Sequence, residues 1–270
     1  MPTIYAHRGG AGLRPENTIA AFDHGIACGA EGLELDVHLS RDGVVVIHHD
    51  HTLERTTNGR GPVALLTAAE LASVDAGFHF QQDGGARPFR GQGLSVPTLH
   101  EVLRRYPVVE LIVELKVGGE TLARRVIDEV RAAGAVDRVA IGSFHIEALR
   151  AIRQYEPAIA TGAAKAETRW ALYRSWVGWP LGDTPYREFQ VPERSGLTRI
   201  VSRRFVSAAH RAGLAVKVWT VNAPQDMRRL VSLGVDGLIT DRPDLARQLI
   251  SSGRAEPDPA LRSGSSRGSR

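Results

Sequence analysis

Three acidic residues on two predicted strands have the type and spacing to hold a divalent cation. Strict alternation over Leu33–Leu39 places Glu34 and Asp36 on one face of a strand and apolar side chains on the other. The later segment VVELIVELK repeats this phase, with Glu114 and Lys116 on one side. Carboxylates that converge without a partner are costly to bury, and an all-oxygen set suits Mg²⁺, Ca²⁺ or Mn²⁺ rather than Zn²⁺. The alternative is that these acids pair with Lys116 and nearby arginines and bind no ion.

Two histidines follow predicted strands and form a candidate acid–base pair. His7 ends the first apolar segment, and His49 ends the segment VVVIHHD. Imidazole holds or releases a proton near neutral pH, so two histidines beside a cation can act as general acid and general base. By alternation His48 points away from His49 and is expected to pack or face solvent, and His51 is likewise given no catalytic role. His38 shares the phase of the acids but lies near a turn, which favours a structural role.

Arg8 lies at the end of the first predicted strand and is followed by two glycines, which let backbone approach a ligand closely. Its guanidinium is a bidentate partner for a phosphate group. The next segment, PENT, opens a helix that Asn17 or Thr18 is expected to cap. Glu16 is expected to orient a neighbour such as Arg8 rather than to react.

The elements that must position these residues follow the rhythm of a parallel α/β fold. Short β-branched segments alternate with helical patterns, several of which end in glycine. The predicted strands are Thr3–His7, Leu33–Leu39, Val109–Lys116, Arg138–Phe144, Ala158–Ala163, Glu188–Val191, Ala215–Thr220 and Gly237–Thr240. Eight strands favour a closed (β/α)8 TIM barrel, with a doubly wound open sheet as the alternative. In a barrel the apolar strand faces pack outward against helices, so Glu34 and Asp36 point inward.

One insertion interrupts the rhythm after the second predicted strand, at the end of a barrel where catalytic groups lie. It runs from about residue 43 to 97 and begins with a hairpin arm, Val44–Ile47, turned by Asp42 and Gly43. A loop rich in glycine, glutamine and aspartate follows at 81–93. We therefore expect a single barrel domain over 1–251. The Ser/Gly/Arg/Pro-rich segment 252–270 is expected to be a disordered tail.

Composition narrows the classes of partner. The net charge is +4, but the arginines are scattered rather than clustered, so no nucleic-acid footprint is indicated. No apolar run reaches membrane-spanning length, and the first ten residues lack the regions of a signal peptide. A cytoplasmic location is therefore expected. The single cysteine, Cys28, excludes an internal disulfide, and no G-x-G-x-x-G follows the first strand, which argues against a dinucleotide cofactor.

Five blocks, in order, resemble the glycerophosphodiester phosphodiesterase family: HRGGAGLRPENTIAAF, ELDVHLSRDGVVVIHHDHTLERTTNG, VELK, VWTVN and GVDGLITDRPD. The resemblance spans about Thr3 to Asp244. It implies a TIM barrel with an inserted segment after the second strand and a divalent metal, Mg²⁺ or Ca²⁺ with Mn²⁺ as a further option, held by Glu34, Asp36 and Glu114. It implies His7 and His49 as the catalytic pair, Arg8 and Lys116 as phosphate contacts and Trp219 as a wall of the alcohol pocket.

The resulting hypothesis is hydrolysis of a glycerophosphodiester, a small-molecule substrate, to an alcohol and sn-glycerol 3-phosphate, with lipid and glycerol metabolism as the setting. Hydrolysis of lysophospholipids at the same centre, in the manner of a phospholipase D, is an alternative. A barrel that binds phosphodiesters without catalysis is a more remote one, because neither histidine is missing. The oligomeric state is left open.

Some residues carry structural alternatives. Lys116 can simply neutralise Glu114, and Trp219 can be a core residue. Asp241, in ITDRPD, can bind a group or cap the last helix, and capping is the role we expect. The segment RWALYRSWVGWPL departs from the commonest family pattern; it is expected to be a helix packed on the barrel, with a lid over a lipid-like substrate as the alternative.

Overall fold

The computed structural model describes residues 1–82 and 84–252 of the chain. The strands are β1 (Thr3–His7), β2 (Gly32–Leu39), β3 (Val45–Ile47), β4 (Glu110–Leu115), β5 (Val139–Ser143), β6 (Ala160–Thr161), β7 (Glu188–Pro192), β8 (Arg194–Ser195), β9 (Thr198–Arg199), β10 (Ala215–Trp219) and β11 (Gly237–Thr240). The helices are α1 (Ile19–Ala27), α2 (Ala68–Ala72), α3 (Leu99–Arg105), α4 (Glu120–Ala132), α5 (Ile146–Tyr155), α6 (Lys165–Val177), α7 (Arg203–Arg211), α8 (Pro224–Leu233) and α9 (Pro243–Ser252). Of the expected tail, Ser252 ends α9, and the rest lies outside the described residues.

Eight parallel strands form a barrel, which confirms the predicted fold over the open-sheet alternative. Their order is β6-β5-β4-β2-β1-β11-β10-β7, and each neighbouring pair is parallel. The two end strands meet where Gly162 bridges Glu188 and where the backbone N–H of Ala163 donates to the Glu188 carbonyl over 2.9 Å. The fifth predicted strand is shorter than expected. Beyond Thr161, the N–H of Gly162 donates to Ile141 of β5 and the N–H of Ala163 donates to Glu188 of β7, so these residues do not continue one regular ladder.

The apolar side chains of the strands pack between the barrel and the surrounding helices. Leu33, Leu35 and Val37 of β2 are fully buried in this layer, as the alternation predicts. Helix α4 shows the complementary pattern, since it buries Leu122 and Val126 on one stripe and exposes charged residues on the other. The side chains on the other face of each strand therefore fill the barrel interior, and the acidic residues of β2 and β4 are among them.

The insertion after β2 is a small subdomain on the catalytic end of the barrel. Strand β3 pairs antiparallel with β2, with Val37 opposite Ile47, and Gly43 turns the chain with φ 77°. A one-turn 3-10 segment (Val63–Leu65) and α2 then close over a separate apolar cluster. The members of that cluster are Val46, Leu53, Val63, Leu71 and Val96. This packing holds the segment that carries His49 against the barrel.

The aromatic segment forms α6, which packs on the barrel as predicted. It buries Thr168, Ala171 and Leu172, while its tryptophans Trp170 and Trp176 are about half exposed. No helix among the described residues has the length and hydropathy needed to cross a membrane. A short hairpin of β8 and β9, which the sequence did not predict, follows β7 and stands beside α6 at the barrel mouth.

Candidate active site

Strands β2 and β4 bring three carboxylates together at the barrel mouth. One oxygen from each of Glu34, Asp36 and Glu114 lies within 4.8 Å of the other two, and the parallel register sets Asp36 opposite Glu114. Glu34 and Asp36 are buried, and Glu114 is partly exposed. We call these three residues the carboxylate cluster. Its geometry matches what a single divalent cation with oxygen ligands requires.

The three carboxylates are not equally neutralised. Asp36 accepts a hydrogen bond from the Asn17 side-chain amide over 2.8 Å and lies 3.3 Å from Arg8 Nε and 3.4 Å from Lys116 Nζ. Glu34, in contrast, accepts one backbone N–H, that of Arg8, over 3.0 Å. Burial and then the neighbouring charge of Asp36 therefore raise the pKa of the Glu34 carboxyl to about 8. Glu34 thus has weaker positive neighbours than Asp36, and a cation bound beside it would favour its ionised form.

His7 ends β1 and lies between two carboxylates. Its Nδ1 is 2.6 Å from Asp241 Oδ1, and its Nε2 is 3.8 Å from Glu34 Oε2. Burial lowers the pKa of the imidazole, but the charges of Glu34 and Asp241 outweigh it, so the pKa of His7 is raised above its usual value. The hydrogen bond to Asp241 places a proton on Nδ1 and leaves Nε2 to exchange a proton at the barrel mouth.

Arg8 and Lys116 lie on the two sides of Asp36. Arg8 NH1 donates to Glu16 Oε1 over 2.9 Å, so Glu16 orients Arg8 as expected. Lys116 Nζ donates to Glu114 Oε1 over 2.9 Å. Arg8 and Asn17 both adopt positive φ, 50° and 58°, and the Nε of Arg8 and the Oδ1 of Asn17 are buried without a hydrogen-bond partner in the described chain. Buried atoms without a hydrogen bond are costly. A phosphate oxygen would accept from Arg8 Nε, which otherwise has only its ion-pair contact with Asp36, whereas Asn17 Oδ1 needs a donor or a cation.

His49 follows β3 and is held by a chain of charged groups. Its Nδ1 lies 2.6 Å from Asp50 Oδ1, and Asp50 in turn accepts a hydrogen bond from Arg55. Arg55 also donates to both carboxylate oxygens of Glu16, over 2.8 and 2.6 Å. Burial raises the pKa of Glu16 and of Asp50, but Arg55 and their other partners outweigh it and lower each to about 2. Since Glu16 contacts Arg8, this network links His49 to the carboxylate cluster.

The histidines of β2 and of the start of the insertion other than His49 have structural contacts or face solvent. His38 Nε2 lies 3.2 Å from the His49 carbonyl, and burial lowers the pKa of His38 to about 4, so it is neutral near pH 7. His48 is buried and its Nε2 lies 3.1 Å from the Thr52 carbonyl. His51 is exposed. His38 thus fixes the backbone of His49. Of the two positions expected for His48, packed or facing solvent, His48 is packed.

A cavity of about 400 Å³ opens beside Glu114. The ends of β5, β6, β7 and β10 and helix α6 surround it, and Trp219 lies on its wall with its ring perpendicular to that of Phe144 at 6.0 Å. Trp219 is half-buried, whereas Lys217 on the same strand face is buried deeper and pairs with Glu188 over 2.7 Å. We call this space the side cavity. Trp219 thus lines the cavity and also packs against the apolar cluster of Tyr5, Ile112 and Ile239.

Sequence reasoning missed four residues that hold the two histidines. The expectation that Asp241 caps the last helix was wrong, because its carboxylate contacts His7 and, over 2.6 Å, the side-chain amide of Asn222. Asp50 was detectable as the neighbour of His49 in the chain, whereas Arg55 holds Asp50 directly and is itself bound by Glu16, which is distant in sequence. Barrel closure brings Asp241 beside His7, since β11 pairs with β1. No local pattern could reveal that pairing.

Comparisons with known proteins show the family to which the chain is similar. The model of the family described as "Glycerophosphoryl diester phosphodiesterase family" matches residues 7–245. A glycerophosphodiester phosphodiesterase of Caldanaerobacter subterraneus is 31% identical over 93% of this chain and 98% of its own.

Two solved structures show the same similarity in three dimensions. A glycerophosphodiester phosphodiesterase from Agrobacterium tumefaciens superposes with TM-score 0.74 at 29% identity, over 92% of this chain and 100% of that one. A phosphodiesterase from Oleispira antarctica, solved in complex with the product sn-glycerol-3-phosphate, superposes with TM-score 0.75 at 27% identity, over 93% and 97%.

Proposed function

The chain belongs to the glycerophosphoryl diester phosphodiesterase family and is a phosphoric diester hydrolase, and on that premise we propose its reaction. The substrate is a glycerophosphodiester, and the products are an alcohol and sn-glycerol 3-phosphate. The observation that carries this proposal is the carboxylate cluster with His7 and Arg8 at its edge. The relative solved with sn-glycerol-3-phosphate supports the choice of product. The binding-only alternative is not favoured, because both histidines have hydrogen-bonded carboxylate partners suited to proton transfer.

A divalent cation fits the cluster. Glu34, Asp36 and Glu114 would hold it through one oxygen each, and the raised pKa of Glu34, which a cation at this point would lower, is the feature that calls for it. When bound, the ion would offset negative charge on the phosphate as the transition state forms. An oxygen-only ligand set fits Mg²⁺ and Ca²⁺, with Mn²⁺ as a third candidate, and argues against Zn²⁺.

The side chains around the cluster divide the remaining work. Arg8 and Lys116 would bind the phosphate oxygens, Glu16 would hold Arg8 in place, and Asn17 would hold Asp36. Because donors of this kind are already held in place, they need not reorient when negative charge develops on the phosphoryl oxygens. The wall that Trp219 forms would contact an organic substituent of the phosphate.

The two histidines would move the protons. In this proposal His7 Nε2 accepts a proton from the nucleophile, and His49 Nε2 donates one to the leaving alkoxide, while Asp241 and Asp50 hold the opposite ring nitrogens. The nucleophile is water, or a glycerol hydroxyl that first forms a cyclic phosphate. The two routes use the same residues and differ in whether a cyclic intermediate accumulates.

The test is to replace each histidine separately. His7→Ala and His49→Ala should each lower kcat for glycerophosphocholine by about 10²- to 10⁴-fold, which is the usual contribution of a general acid or base. Far-UV circular dichroism and melting temperature should change little, because both side chains lie at the barrel mouth rather than in its apolar layer. His51→Ala, an exposed histidine of the same insertion, is the matched control. Near-normal turnover in both variants would refute the assignment.

A further inference from the structure

The guanidinium of Arg55 contacts two acids that lie on different parts of the fold. Its Nε donates to Asp50 in the insertion, and its two terminal nitrogens donate to Glu16, on the loop between β1 and α1, over 2.8 and 2.6 Å. We propose that Arg55 is a positioning residue that couples the phosphate-binding Arg8 to the general acid His49. The proposal rests on the proposed function and adds a residue to it.

Each of the two acids also holds a group of the active site. Glu16 Oε1 accepts one hydrogen bond from Arg8 NH1 over 2.9 Å and one from Arg55 NH2, so the same oxygen orients both guanidinium groups. Asp50 Oδ1 lies 2.6 Å from His49 Nδ1, while Asp50 Oδ2 accepts from Arg55. A continuous chain of polar contacts therefore runs from the phosphate-binding side of the site to the imidazole that would protonate the leaving group.

Arg55 also joins this part of the insertion to the barrel. Segment 50–62 makes its other hydrogen bonds to residues of the insertion itself. Among the residues that the structure describes, the hydrogen bonds and ion pairs that lead from 50–62 to the barrel all run from Arg55 to Glu16. The position of Asp50 relative to Arg8 therefore depends on this one side chain.

The charges explain why a guanidinium suits this position. Glu16 and Asp50 carry like charges on two separate segments, and without a cation between them they would repel each other. Burial raises the pKa of both acids, but Arg55 and their other partners outweigh it and lower each pKa to about 2, so both acids are ionised near pH 7. A guanidinium presents its donors in a fixed planar fork, whereas the ammonium of a lysine is a compact point charge. Arg55→Lys therefore keeps the charge and removes the fork.

The experiment compares two substrates that differ in whether the leaving group needs a proton. In both, an oxygen bonds to phosphorus and the bond from phosphorus to the leaving oxygen breaks. Choline leaves glycerophosphocholine with a proton from His49, whereas the p-nitrophenyl ester of sn-glycerol 3-phosphate releases p-nitrophenolate, a stable anion that needs no general acid near neutral pH. A residue that positions the acid should therefore affect the first substrate and have little effect on the second.

Arg55→Lys, assayed with a saturating divalent cation, should separate the two substrates. Its kcat for glycerophosphocholine should fall about 10- to 100-fold, the equivalent of one lost hydrogen bond between charged groups, and its kcat for the nitrophenyl ester should stay within about threefold. KM should rise for both substrates, because Glu16 no longer fixes Arg8. Arg41→Lys is the matched control, since Arg41 is exposed, pairs with Glu70 and should leave both rates unchanged.

The nitrophenyl ester also reports whether each variant is folded. A fall in kcat of equal size for both substrates in Arg55→Lys would overturn the proposal, because it would show a general effect on the fold or the phosphate site. Unchanged kcat for both would overturn it as well. His49→Ala provides the reference, since loss of the acid should affect glycerophosphocholine far more than the nitrophenyl ester. Equal losses in His49→Ala would instead overturn the acid role of His49 in the proposed function.

Discussion

Asp241→Asn tests whether the hydrogen bond to His7 serves catalysis. Asp241 Oδ1 lies 2.6 Å from His7 Nδ1, and the carboxylate is also bound by Asn222, so its orientation is fixed. Hydrogen bonds to charged groups contribute about 1.5–3 kcal/mol. Since 1.36 kcal/mol is tenfold in rate, losing this stabilisation of the imidazolium should lower kcat about 10- to 150-fold. An asparagine can also donate to Nδ1, which would leave the proton on the wrong ring nitrogen.

The direction of the pH effect follows from the charges. Asp241 is one of the groups that raise the pKa of His7, so its neutralisation should move the acidic limb of the kcat/KM profile to lower pH. A group with a raised pKa contributes stability at pH values below its unfolded pKa and loses it as pH rises through the folded pKa. Asp241→Asn should therefore cost more unfolding free energy near pH 6 than near pH 9.

The assay is choline release from glycerophosphocholine between pH 5 and 9, combined with urea unfolding at the two extremes. Asp244→Asn is the matched control, because Asp244 lies on the same segment but pairs with Arg242 and does not contact the histidines. It should leave kcat within about twofold, as is usual for exposed ion pairs. If Asp241→Asn kept wild-type kcat and an unshifted acidic limb, the role of Asp241 in positioning His7 would be refuted.

Two further predictions concern the charges around the site. Because burial and the charge of Asp36 raise the pKa of Glu34, Mg²⁺ binding at pH 7 should release protons, and Mg²⁺ affinity should fall as pH decreases. Calorimetry in two buffers of different ionisation enthalpy measures this, and binding without proton release would contradict it. Arg55→Met removes the partner of Glu16 and Asp50. It should lower the free energy of unfolding in urea by about 1–2 kcal/mol at pH 7, a value reduced because the guanidinium is half exposed. The loss should be smaller near pH 2, where both acids gain protons, and an equal loss at both pH values would count against the network.

The alternation of the strands made the fold and the acidic residues predictable. A period of two in Leu33–Leu39 determines which side chains point inward, and the barrel then determines that Glu34 and Asp36 share its interior with Glu114. His7 and Arg8 were predictable because the carboxyl ends of barrel strands carry the chemistry. The family resemblance added the roles of these residues, and the matches over residues 7–245 confirm the family.

Contacts between distant segments were not predictable from the pattern. Asp241 looked like a helix cap because its local sequence, TDRPD, fits one, yet the pairing of β11 with β1 brings it to His7. The contact of Arg55 with Glu16 spans 39 residues and depends on how the insertion folds back. The side cavity arises from the ends of several strands and from α6, and no single segment of the sequence contains it.

If the carboxylate cluster holds a catalytic cation, removal and return of metal should switch the activity off and on. Protein stripped with EDTA is given glycerophosphocholine with Mg²⁺, Ca²⁺ or Mn²⁺ in turn, and release of sn-glycerol 3-phosphate is followed. Glu34→Ala is compared with Glu120→Ala, an exposed glutamate whose ion pair with Arg124 lies on the helix surface. We predict release that requires metal, is lost in Glu34→Ala and persists in Glu120→Ala. Undiminished release by the stripped protein, or by Glu34→Ala, would contradict the account.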